Sequence, residues 1–167
     1  MTDPQWQSHT DPEPLLRALP AERYQRELRL FCIACVRRVA HLLPDPCRQA
    51  LDTAEHFAHG ASSEAQLRAA TDIATPLINA VWSGGRSPDA RAYATQASGD
   101  ATAPSPRTLA TVLSTTTAAA AALACSAAES DPANYDATFD ATRIAELAAQ
   151  ATLLRQLIPR PTSITTR

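Results

Sequence analysis

The chain has 167 residues, 45% of them hydrophobic and 5% aromatic, with a formal net charge of −2 at pH 7. That length fits one domain with a sizeable core, and the charge balance argues against a general polyanion binder. Alanine, the strongest helix former, supplies much of the apolar content, and only 4 Gly are available for hairpin turns. The composition therefore predicts an all-α fold.

The N-terminal stretch carries acids and prolines and no apolar core of a leader, which predicts no signal peptide, a cytoplasmic location and reduced cysteines. Helix starts are expected where Asp or Ser precedes Pro, the first residue capping and the second taking the first helical position. Such pairs occur at Asp11-Pro12, Asp45-Pro46, Ser87-Pro88, Ser105-Pro106 and Asp131-Pro132. A short turn carrying Trp6 is expected over 3–9, then a short helix over 12–19.

The segment 22–43 is strongly apolar and free of Gly and Pro, and Pro20 and Pro44 bound it. At helical periodicity Leu28, Phe31, Cys32, Cys35 and Val39 share one face, while Arg26, Arg37 and His41 lie opposite. Leu30 and Ile33 make the second side apolar too, so this helix is expected to be central and buried. A helix over 46–59 follows, ending at Gly60 as a left-handed cap. The next is capped by Ser62 or Ser63, with a kink expected at Pro76 and a stop at Gly84-Gly85. Residues 84–105, rich in Gly, Ser, Asp, Pro and Thr, read as the loosest segment, with a short helix at 88–97.

Thr108 to Ala128 carries no charge, but its Ala, Thr and Ser insert weakly into lipid, so a close-packed helix over 106–129 is expected rather than a span. In the last helix Ile144, Leu147, Ala151, Leu154 and Ile158 are spaced 3, 4, 3 and 4 apart, which reads as a bundle seam. A polar, frayed tail is expected over 159–167. The result is a single domain over 1–158, an irregular bundle of six to seven helices around 22–43.

Chemistry is sparse in the sequence. Cys32, Cys35, His41 and Cys47 approach a zinc-knuckle spacing, yet an unbroken helix sends His41 away from both earlier cysteines, and cysteines on an apolar stripe act as small hydrophobes. Glu55, His56 and His59 could offer two metal ligands from one helix face, with Glu146 or Asp140 the available carboxylates from another helix. No nucleophile elbow, P-loop or dinucleotide fingerprint is present. Residues 15–50 hold seven Arg against three acids, and 129–146 five acids against one Arg, which reads as two faces able to dock on each other.

The residues Trp6, Asp11, Pro12, Leu28 to Phe31, Ala34, Cys35, Arg37, Arg38, Ala54, Glu55, Ala58 and Gly60, with the closing Leu153 to Ile158, form a pattern. It resembles a family of uncharacterised, alanine-rich bacterial proteins, which implies an all-helical cytoplasmic protein without a known activity. The expected function is a non-catalytic helical interaction or scaffold module, whose partner is another protein or a second copy and not nucleic acid or a membrane. Arg26, Arg37 and Arg38 and the Ala-rich surface of 106–129 are the expected contact regions. No cofactor is expected in that reading. The alternative is a metal-binding helical protein holding structural zinc or a bundle-core metal through Cys35, Cys47, His56 and His59.

Overall fold

A computed structural model describes residues 1–83, 88–105 and 107–158. Among the described residues eight α-helices form: α1 Asp3–Ser8, α2 Pro12–Arg17, α3 Gln25–Arg37, α4 Asp45–Ala58, α5 Glu64–Ser83, α6 Ala90–Thr102, α7 Leu109–Glu129 and α8 Tyr135–Leu157. No strand occurs among the described residues. The fold is all-α, as the composition predicts, with α1 added as a full helix.

Helix α3 is the hub, touching α4, α6, α7 and α8, while α5 lies outside α4 and α6, and α8 lies outside α7. The central element is shorter than the expected 22–43. Single 3-10 turns at Ala21–Arg23 and Ala40–Leu42 replace its ends. At the C-terminal end Arg38 and Val39 donate backbone N–H groups to Cys35 and Val36, three residues back, and Val39 leaves helical geometry at φ −115°. Pro44 drives this: it excludes Leu43 from the α region, and Leu43 takes an extended ψ of 142°. Val39 and Leu43 stay buried all the same, because the turn re-aims them into the core.

Several helix starts follow the expected chemistry. The Asp11 side chain accepts from the Glu13 N–H at 2.8 Å. Ser63 Oγ accepts from the Gln66 N–H while Gln66 Oε1 accepts from the Ser63 N–H, a reciprocal capping box. Gly60, at φ 75°, provides the left-handed cap after α4.

The segment 84–105 departs most from expectation. Its residues 90–102 form α6, with Ala90, Ala94, Ala97, Ala101, Thr95, Ser98 and Thr102 buried. Asp89 caps it, accepting from the Ala92 N–H at 2.8 Å. Its hydroxyls do not break the helix because they find carbonyl partners: Thr102 Oγ1 donates to Ser98 O one turn back at 2.9 Å, and Ser98 Oγ donates to Cys47 O on α4 at 3.4 Å. Gly99 sits where an added Cβ would lie 3.0 Å from Ile78 Cδ1, so the absent side chain is what lets α6 approach α5.

Helix α7 starts one turn later than Ser105-Pro106 suggests, capped by Thr108. It is long and apolar enough to cross a membrane by length and composition, and here it packs between α6 and α8. The seam on α8 is half correct. Ala151, Leu154 and Ile158 are buried, whereas Ile144 is exposed and Glu146 and Gln150 are buried instead. Trp6 is a core anchor. The expectations for the Trp82 side chain, Gly84-Gly85, Ser87, Pro106 and the tail 159–167 lie outside the described residues.

Candidate functional site

The residues expected to hold metal are not brought together. Cys32, Cys35 and Cys47 are fully buried core side chains, and Cys125 is buried on α7. The helix does break before His41, but His41 is exposed and does not join them. His56 and His59 are exposed in and after the last turn of α4. Among the described residues no three of His, Cys, Asp and Glu cluster as a metal site. Glu146 is bound to Arg38 and Asp140 is exposed.

Burial pushes the Cys32 thiol from its ordinary 9.0 up to about 11 and the Cys35 thiol well above that ordinary value. Charged neighbours modify this less than burial does. The unfolded chain therefore ionises these thiols first, and stability falls as pH rises from 9 towards 11. Arg29, pushed down by burial to about 10, acts in the opposite sense, and only from about pH 10 upward. Urea unfolding is expected to show a loss on the order of 1 kcal/mol between neutral pH and pH 10 through Cys32 alone, with Cys35 adding in the same direction. Cys32→Ala should flatten that fall.

The arginines expected to form a free contact face are engaged within the chain. Arg37 pairs with Asp52 and Glu55 at 2.6 and 2.5 Å, so α3 and α4 are strapped together. Arg26 donates to Ala58 O at 2.9 Å and meets His59 Nδ1 at 3.4 Å, covering the end of α4. Arg38 Nε donates to both carboxylate oxygens of Glu146 at 2.8 Å. The basic and acidic regions of the sequence thus meet at Arg38 and Glu146.

That pair is part of a buried polar cluster. Glu146 is 2% exposed, and Gln150 Nε2 donates to its Oε1 at 3.3 Å and to Thr116 O at 3.2 Å. Gln150 Oε1 has no hydrogen-bond partner. A second cluster holds two cations. Arg29 and Arg107 are both buried, and Arg107 donates to the carbonyls of Asp100, Ala103 and Ser105. Arg29 donates to Ala103, Pro104 and Ser105 and stacks over the Phe57 ring at 5.1 Å. Gln25 completes it by exchanging two hydrogen bonds with the Arg107 backbone at 2.9 and 2.6 Å. These groups grip the connection between α6 and α7.

Sequence reasoning missed Arg29 and Arg107. The signal for Arg29 was available, since it shares a helix face with Cys32, Ile33 and Val36. Arg107 carries no local signal, because its partners are carbonyls of a connector.

An open crevice of about 670 Å³ lies beside this second cluster, lined by Arg17, Leu19, Pro20, Gln25, Arg107 and Leu109 among others. The terminal nitrogens of Arg107 are spent on carbonyls and Arg17 pairs with Glu13, so among the described residues the crevice presents no unpaired cation, and Glu22 lines it as well. The other notable surface is the outer face of α5. Ile73 is 66% and Leu77 37% exposed, and Ala65, Ala69, Pro76 and Ala80 are exposed as well. At helical periodicity these six form one stripe, with Glu64, Arg68 and Asp72 along one edge. Tyr135 and Ile144 are the other large exposed apolar residues, on α8.

Compared with known proteins, the chain matches no family model, no curated protein and no solved structure. The residues of the pattern read in the sequence have structural duties here: Trp6, Leu28, Phe31 and Cys35 are core, Glu55 pairs with Arg37, and Gly60 caps α4.

Proposed function

We propose that the chain is a non-catalytic helical interaction module that docks another amphipathic helix on the outer face of α5. The supporting observation is that stripe: Ile73, at 66% exposure, heads a run of apolar residues on an outermost helix. Single exposed apolar residues are ordinary on a protein surface, but a continuous apolar stripe bordered by charge is the form that helix-in-groove and helix-pair recognition uses. Helix α5 already spends its inner side on α4 and α6, so the stripe is a second apolar face.

The test is a photoreactive residue at the exposed position Gln66, with crosslinking in cells, against the same protein carrying Ala69→Glu and Ile73→Glu. Both substituted sites are exposed, so helicity and melting temperature should hold while the crosslinked product disappears. A product unchanged by the substitutions, or none from this face, overturns the proposal.

A further inference from the structure

We propose that the occupant of the α5 face is a second copy of the same helix, packed antiparallel about a two-fold axis level with the midpoint between Arg68 and Asp72. This rests on the reading of α5 as the docking face and adds the identity of the partner. The argument is self-complementarity, the property an isologous interface requires.

Shape comes first. The exposed stripe is small in its N-terminal half, at Ala65 and Ala69, and large in its C-terminal half, at Ile73 and Leu77. An antiparallel pairing sets each large half against the small half of the other copy, so that Ile73 enters the space over Ala65 and Ala69. Small residues at the crossing also let the two backbones approach closely.

Charge selects the same arrangement. Arg68 and Asp72 lie one turn apart on the same edge of the stripe, about 6 Å along the axis. A two-fold between them places Arg68 of each copy beside Asp72 of the other, giving two symmetric ion pairs. A parallel pairing sets this charged edge against the opposite, uncharged edge of the partner helix and forms neither ion pair. Glu64 already holds Arg68 along this edge, accepting from its Nε at 3.1 Å and from its Nη2 at 2.6 Å. The guanidinium is therefore oriented before association, which lowers the entropy it must lose.

The experiment is sedimentation equilibrium of the full chain over a wide concentration range. The expected mass rises from one copy to two. Ile73→Glu should stay monomeric throughout with its circular dichroism unchanged, and Arg68→Asp should weaken association by roughly tenfold or more. Adding Asp72→Arg to Arg68→Asp restores the ion pairs with their signs exchanged, so the double variant should regain the dimer. A monomer at every concentration overturns the inference, as does a dimer indifferent to Ile73→Glu or a charge exchange that fails to restore association. The broader reading fails separately: a monomer whose α5 still crosslinks to a different protein leaves the module standing and removes only the self-pairing.

Discussion

Replacing Arg38 by Ala should lower the unfolding free energy by about 3 kcal/mol, a large share of the roughly 5–15 kcal/mol that natural domains hold. The reason is the partner left behind. Glu146 is 2% exposed, and the Arg38 Nε N–H is shared between both of its carboxylate oxygens. Without it the carboxylate keeps one long hydrogen bond from Gln150, and a buried charge with so little compensation is costly. The value sits at the lower end for buried pairs because the Arg38 side chain is 40% exposed, so water can reach the vacated side. Urea denaturation of a double-mutant cycle separates the terms. Arg38→Met with Glu146→Leu should recover most of the loss, since an apolar pair of similar volume carries no desolvation penalty. If Arg38→Ala instead costs under about 1 kcal/mol, the pair behaves as a surface bridge and Glu146 is not the buried liability described.

The helices were legible where local chemistry agrees with periodicity: the caps at Asp11 and Ser63, Gly60 after α4, and the core stripe of Leu28, Phe31, Cys32 and Cys35. The misreadings have physical causes. Ser98, Thr102 and Gly99 look like loop formers in sequence, yet in α6 Thr102 bonds a carbonyl of its own helix, Ser98 bonds the Cys47 carbonyl on α4, and the glycine admits Ile78. The break at Val39 depends on Pro44, five residues downstream, beyond the reach of a periodicity argument. Arg37 and Arg38 were placed on the polar side correctly, but sequence cannot reveal that Asp52, Glu55 and Glu146 arrive there. The α5 face was hidden for a different reason: Ile73, Leu77 and Leu67 all fit a helix with one broad apolar side, and only the positions of α4 and α6 show which of them are covered.

Arg107→Lys should cost about 2–4 kcal/mol although it preserves the charge. Arg107 is 1% exposed, and its two terminal nitrogens reach in different directions, one to Asp100 O and the other to Ala103 O and Ser105 O. A lysine ammonium is a single point on a flexible stem and cannot span these carbonyls together. Two charge-assisted bonds at about 1.5–3 kcal/mol each are then lost, offset in part by relaxation. The lysine variant is informative because a second cation stands nearby: Arg29 is held down to about 10 by burial and then by the charge of Arg107. Arg107→Met removes both the hydrogen bonds and that repulsion, whereas Arg107→Lys removes only the bonds. If the guanidinium fork is what ties α6 to α7, urea unfolding will show Lys at least as damaging as Met, and proteolysis between α6 and α7 will quicken in both variants. A lysine variant as stable as the parent reverses the assignment, leaving a cation at this place, rather than its geometry, as what the connection requires.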